Sequence, residues 1–115
     1  PTVIAGADGG DELFRNEETF GPFAPVFGFK TEDEAIAAAN ATAYGLASYF
    51  FTENLGRGLR VARRLEAGIV GLNTGAISNA VNPFGGVKHS GYGREGSRYG
   101  IEDYLSVKSV TIAGA

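Results

Sequence analysis

Two stretches built for helices are each flanked by short apolar runs, and that alternation constrains the fold more than any other feature of the chain. Ala24 to Phe29 is rich in Phe and Val and alternates weakly, the pattern of a strand. Thr31-Glu-Asp-Glu34 follows with capping-box spacing, in which a threonine hydroxyl serves one orphan N–H and a glutamate reaches back to another. A helix is expected from there to about Asn40, with Ala35, Ile36 and Ala39 on its inner face. Tyr44-Gly45 turns the chain into a second apolar run, Leu46 to Phe51, whose low polarity predicts cover on both faces. Asn54 is placed to cap a second helix, in which Leu55, Leu59, Ala62 and Leu65 recur at helical spacing. Arg57, Arg60, Arg63 and Arg64 fall mostly on the other side, as a solvated face does. Gly68 is expected to end this helix in a left-handed cap, and Ile69 to Leu72 reads as a third buried strand. Strand, helix, strand, helix, strand predicts an α/β fold with a parallel β-α-β sheet. In such sheets chemistry collects at the carboxyl ends of the strands, and the segment leaving Asn73 starts from one of them.

Half of the 18 glycines lie between Gly68 and Gly100. That stretch reads as a strand followed by a long, ordered, glycine-rich loop, and loops of this length in compact domains are usually functional. At the N-terminal end, Thr2 to Ile4 is β-branched or apolar and is expected to form a short strand, and Gly6 to Asp11 has turn chemistry. At the other end, Ser97 to Tyr104 is expected to hold a short helix. Leu105 to Ala113 alternates, with Val107, Val110 and Ile112 against Lys108, Ser109 and Thr111, as a terminal strand does. No partner strand precedes it, so its pairing is expected outside this segment or with another subunit.

Composition removes several classes of function. A length of 115 residues is one domain's worth. Thirteen acidic residues against 10 basic ones give a net charge of -3, without the basic footprint that nucleic-acid binding requires. Cysteine is absent, which excludes disulfides, a thiolate metal site and a cysteine nucleophile within these residues. With a single histidine besides, no metal site is expected. No apolar run approaches the ~18 residues of a membrane span, and no charged leader precedes one, so no membrane partner and a cytoplasmic location are expected. The chain opens at Pro1 and contains no methionine, the expectation for a piece of a longer protein.

Several short motifs carry possible chemistry. Gly91-Tyr-Gly-Arg-Glu-Gly96 is literally G-x-G-x-x-G, but a polar loop precedes it and no acidic residue follows about 20 positions on, as a dinucleotide fingerprint needs. Its glycines are expected instead to let a tight loop pass close to other backbone. Glu17-Glu18-Thr19-Phe20-Gly21-Pro22 sets a carboxylate beside an aromatic on a rigid turn. A carboxylate there suits a ribose diol and a phenyl ring suits a nicotinamide; a helix-end acid and a core Phe are the plainer alternative. Phe84 stands between Pro83 and two glycines, either as a core plug for the loop or as the aromatic wall of a pocket. His89 is expected at the surface, and no Ser/His/Asp arrangement supports a triad hydrolase.

Taken in order, six stretches resemble the C-terminal part of the NAD(P)-dependent aldehyde dehydrogenases. They are Pro1-Thr-Val3, Glu17 to Pro22, Asn40 through Tyr44-Gly45-Leu46, Gly68-Ile-Val-Gly-Leu-Asn73, Pro83-Phe-Gly-Gly-Val-Lys88 and Ser90-Gly-Tyr-Gly-Arg-Glu95. Asn73-Thr-Gly-Ala-Ile-Ser78-Asn and the segment from Gly93 to Tyr104 are most similar to succinate-semialdehyde dehydrogenases. The resemblance implies residues 1–104 as the C-terminal portion of a catalytic domain and 105–115 as an oligomerisation strand that pairs with a neighbouring subunit. It implies oxidation of an aldehyde substrate with NAD or NADP as hydride acceptor. In that chemistry a thiolate attacks the aldehyde, hydride leaves for the nicotinamide, and water releases the acid. The nucleophile, base and Rossmann segment are all expected upstream of Pro1, so the isolated residues are expected to be inactive. By the same resemblance Glu18 holds the nicotinamide ribose and Phe20 lies beside the nicotinamide ring. Phe84 lines the substrate tunnel, and Ser78 hydrogen-bonds the distal carboxylate of the substrate. Glu95 is a second acid near the active site, in a proton relay or as a structural hydrogen-bonding group. A non-catalytic nucleotide-binding or self-association module is the alternative.

Overall fold

The structure, a computed structural model, describes residues 1–6 and 17–114. Of the turn expected over Gly6 to Asp11, only Gly6 lies among the described residues, with a φ of 68°. Strand β1 (Thr2–Ala5) pairs in parallel with β2 (Phe23–Val26), in the register Thr2↔Phe23 to Ala5↔Val26. Helix α1 (Glu32–Asn40) follows, then β3 (Ala47–Phe50), α2 (Leu55–Arg64) and β4 (Ile69–Leu72). Strands β3 and β4 are parallel, with Ala47 opposite Ile69 and Phe50 opposite Leu72, so β3-α2-β4 is one β-α-β unit. The α/β expectation stands in this form, but the single sheet does not. Strand β2 pairs with β1 rather than β3, so the described residues form two two-stranded sheets.

Both helix starts follow their sequence signals. The Thr31 hydroxyl accepts from the Glu34 N–H at 3.2 Å. Glu34 reaches back one residue further than a standard box, accepting from the Lys30 N–H at 2.8 Å. Asn54 accepts from the Arg57 N–H at 2.8 Å. The buried faces differ from expectation. Ile36 is buried on α1, but Ala39 is exposed. On α2 the buried residues are Gly58 and Val61, whereas Leu55 and Leu59 are 72% and 51% exposed. Leu72 of β4 explains the rotation. A Cβ on Gly58 would lie 3.0 Å from the Leu72 side chain, so the helix meets the sheet on its glycine side. Among the described residues Ile36 and Val61 are the buried apolar side chains, and each contributes about 2 kcal/mol by leaving water.

The arginine face of α2 is not merely solvated. Arg60 donates to both carboxylate oxygens of Glu32 at 2.7 Å, Arg57 lies 3.3 Å from the same carboxylate, and Arg64 reaches Asp33 at 2.6 Å. The Arg60 guanidinium holds the Glu32 carboxyl below its ordinary value. These contacts are exposed and screened by salt, so they fix how α2 sits against the first turn of α1 more than they add stability. Gly68 does not adopt the left-handed cap; α2 ends at an extended Leu65, and Gly68 serves a close approach described below. The helix expected over Ser97 to Tyr104 is only a 3-10 turn, Glu102–Tyr104. Residues 105–114 are exposed and take no strand partner among the described residues.

The surface is large for the mass. The chain exposes 8917 Å², where a compact chain of 12.0 kDa exposes about 6,000 Å². Its radius of gyration is 18.9 Å, against about 13 Å for a compact domain of this length. Much of the excess is apolar: Phe20, Phe51, Val81, Tyr104, Val107 and Ile112 are all at least 73% exposed. Apolar surface on this scale marks faces that other structure covers.

Candidate functional site

The site grows from the carboxyl end of β4. Asn73 stands there in the left-handed region, with φ 56°. Its side-chain amide donates to the Thr52 carbonyl and accepts from the Thr52 N–H, both at 2.8 Å. The amide thereby acts as one more rung of the β3-β4 ladder while the main chain turns away. The loop that departs runs back to the opposite, amino end of the sheet, where Gly45 precedes β3 and Gly68 precedes β4. The N–H groups of Gly68 and Val87 both donate to the Gly45 carbonyl at 3.0 Å. The Gly45 N–H donates to Ser90 Oγ at 3.0 Å, and the His89 N–H to the Ala43 carbonyl at 2.9 Å. Backbone approaches backbone so closely here that a Cβ on Gly68 would overlap the Gly85 carbonyl.

Inside the loop, Phe84 and Glu95 form an antiparallel bridge, with hydrogen bonds of 2.9 and 2.7 Å between their backbones. The Ser97 N–H donates to the Ala80 carbonyl at 3.1 Å, drawing the 78–82 arm onto the 95–97 arm. Arg94 ties the inner turn, donating to the Gly86 and Gly93 carbonyls at 2.9 and 2.6 Å. Gly91-Tyr-Gly-Arg-Glu-Gly96 thus lies in a folded loop, after a 3-10 turn (Lys88–Ser90) rather than at a strand-to-helix turn. Gly93 has φ 74°, and a Cβ on it would strike the Asp103 carboxylate.

Three concavities receive the sequence-predicted residues. Ser78, Phe84 and Glu95 line one of about 330 Å³, together with Asn79, Asn82 and Gly96. Phe84 is half-buried there, as a wall and as a partner of the loop at once. Glu18 and Phe20 line a second of about 320 Å³ with Glu17, Thr19 and Gly21. Phe20 has φ 47° and its ring is 91% exposed, so its turn presents the ring outward rather than into a core. Glu18 also borders a third, of about 400 Å³, with Tyr44, Ser48, Glu66, His89 and Ser90. The Glu18–Phe20 pair and the Ser78–Phe84–Glu95 group therefore line different concavities. His89 is exposed as expected, its ring edge-on to Tyr44 at 6.5 Å between centroids.

The structure adds residues with no sequence assignment. Asn40 donates to the Arg64 carbonyl and accepts from the Glu66 N–H, both at 2.9 Å, joining the ends of the two helices. Lys88 sits on the same junction. The signal was present, since Asn40, Gly45, Gly68 and Lys88 all stand in the stretches that carry the resemblance, but nothing local says what they touch. Among the described residues no group of three His, Asp or Glu side chains is placed to hold a metal, and no helix is long and apolar enough to cross a membrane.

The fold has counterparts among known proteins. The chain is 63% identical over 99 residues to a 3-sulfolactaldehyde dehydrogenase of Pseudomonas putida, a span covering 86% of this chain and 20% of that protein. It is 55% identical over 112 residues to the NADP(+) succinate-semialdehyde dehydrogenase GabD of Escherichia coli, covering 97% of this chain and 23% of that one. A betaine aldehyde dehydrogenase of Staphylococcus aureus, solved in complex with NAD+, superposes with a TM-score of 0.87 at 44% identity, over 92% of this chain and 21% of the other. The chain thus spans about a fifth of the length of the relatives it matches. The aldehyde dehydrogenase family model matches residues 1–110, and with relatives this similar along nearly the whole length, the chain belongs to the aldehyde dehydrogenase family.

Proposed function

We propose that these residues are the C-terminal part of an enzyme that oxidises succinate semialdehyde to succinate with NAD+ or NADP+ as hydride acceptor. One observation carries the reading. Ser78, Phe84 and Glu95, drawn from three separate sequence motifs, line a single concavity. Phe84 supplies an apolar wall for the carbon chain, and the Ser78 hydroxyl supplies a hydrogen bond to the distal carboxylate. Among the described residues no cationic side chain lines that concavity, and a buried carboxylate needs charge beside it as well as a hydroxyl. Glu95 is held at the rim by its backbone bridge to Phe84, where its carboxylate can accept a proton from water or fix a hydrogen-bonded neighbour. The named substrates of the two dehydrogenase relatives, succinate semialdehyde and 3-sulfolactaldehyde, are both aldehydes with a distal anion.

The Glu18–Phe20 turn fits the nicotinamide end of a dinucleotide. Its carboxylate can accept from both ribose hydroxyls, and the outward ring offers a flat apolar face beside it. Bound there, the dinucleotide supplies the hydride acceptor. The chain has no cysteine, so the nucleophile is supplied from outside these residues and the isolated chain has no dehydrogenase activity. Residues 105–114, exposed throughout and with Val107, Val110 and Ile112 all at least 73% exposed, are the proposed strand for pairing with a second subunit.

The substrate assignment has a direct test in the full-length enzyme. Ser78→Ala raises the KM for succinate semialdehyde about fivefold, the worth of one hydrogen bond. The KM for an uncharged aldehyde of similar length stays within about twofold. Equal effects on both aldehydes would contradict the role given to Ser78.

A further inference from the structure

Lys88 stands where a glycine would be cheaper. Its φ is 56°, in the left-handed region that disfavours a side chain, and Gly85, Gly86 and Gly91 surround it. Its ammonium explains the exception. It donates to the Asn40 carbonyl at 2.8 Å and to the Thr42 carbonyl at 3.3 Å, and pairs with Glu66 at 2.6 Å. Three donors thus meet three acceptors. The two carbonyls lie at the C-terminal end of α1, which carries no basic residue in its own last turn. A cation is favoured at such an end, and Lys88 brings one from 48 residues away. The contact is half-buried on the lysine side, with the Lys88 side chain 26% exposed.

The contact lies one short step from the proposed substrate wall. On either side of Lys88, the Val87 and His89 N–H groups bond to Gly45 and Ala43, so the ammonium anchors the middle of a docked strip. Two residues before it, the Gly86 carbonyl receives Arg94, and Arg94 is followed directly by Glu95, the bridge partner of Phe84. We propose that Lys88 is a positioning residue. Through the carbonyls at the end of α1 it sets how the 84–95 arm sits on the sheet, and so where Phe84 and Glu95 face the substrate. This rests on the substrate reading above, but its structural half stands apart from it.

The test uses the full-length enzyme with Lys88→Met, which keeps the stem and removes the charge, and Lys88→Arg, which restores a charge. Two quantities are read, amide hydrogen exchange and steady-state kinetics. In Lys88→Met, exchange at the Phe84 and Glu95 amides accelerates about fivefold, while the Ile69 and Asn73 amides, bonded within the β3-β4 ladder, keep their protection. The KM for the semialdehyde rises about fivefold, with kcat and the KM for the dinucleotide within about twofold. Lys88→Arg recovers most of both effects. Unchanged exchange at Phe84 and Glu95 would overturn the proposal, as would equal loosening at Ile69 and Asn73, which would make Lys88 a general stabiliser. A wild-type enzyme that does not turn over semialdehydes defeats the substrate reading alone, and the exchange data then decide the role of Lys88.

Discussion

Gly68→Ala destabilises the full-length enzyme by about 3 kcal/mol, the upper end of what overpacking costs. The obstruction is entirely backbone. A Cβ at position 68 would overlap the Gly85 carbonyl oxygen and lie 2.8 Å from its carbon and 2.9 Å from the Gly86 Cα. No side chain can swing aside to make room. Position 68 cannot retreat either, because its N–H is bonded to the Gly45 carbonyl at 3.0 Å, the acceptor that also receives Val87. The methyl therefore pushes the 85–90 strip off the sheet end and carries Phe84 with it. The half-life for thermal inactivation measures the effect, with Gly75→Ala as the control. Nothing lies within 4 Å of a Cβ at Gly75, and its φ is not in the left-handed region. The control keeps the wild-type half-life and Gly68→Ala shortens it sharply. Equal half-lives for the two variants would show that the close approach at Gly68 does not exist in solution.

Glu18→Gln slows hydride transfer by about tenfold or more while leaving aldehyde affinity largely intact. The substitution preserves shape and one acceptor oxygen but removes the charge that strengthens both hydrogen bonds to a ribose diol. Glu18 sits on a turn set by Pro22 and by the left-handed Phe20, so the residue is presented rather than buried. Its effect falls on the placement of the nicotinamide, and a small displacement of a hydride acceptor is costly in rate. Pre-steady-state formation of reduced cofactor isolates this step from acyl release. A burst rate equal to wild type would remove Glu18 from the cofactor site.

How much of this was legible in the chain depends on how far each partner lies in sequence. Thr31 and Asn54 cap helices through contacts three residues away, and both were readable. The parallel pairing of β3 with β4 followed from the helix between them. The partner of β2 did not, because β1 lies some twenty residues upstream, across a stretch with no periodic signal. Leu55 and Leu59 show why spacing alone misassigns a face. The period was right, but Gly58 turned inward because Leu72 occupies the space that a larger residue would need. For Asn73 and Lys88 the neighbouring sequence carries no sign of the contacts they make. Their roles depend on Thr52 and on the end of α1, distances that no local pattern encodes. For the candidate site, Ser78, Phe84 and Glu95 meet in one concavity, whereas Glu18 and Phe20 line another.

That separation makes the ternary complex the decisive measurement. A crystal structure of the full-length enzyme with NAD(P)+ and succinate bound should place the Glu18 carboxylate on the nicotinamide ribose and Ser78 Oγ on the distal carboxylate. Both ligands should face a single cysteine contributed from outside these 115 residues. A complex in which Glu18 and Ser78 border unconnected cavities, with either ligand bound away from them, would contradict the account.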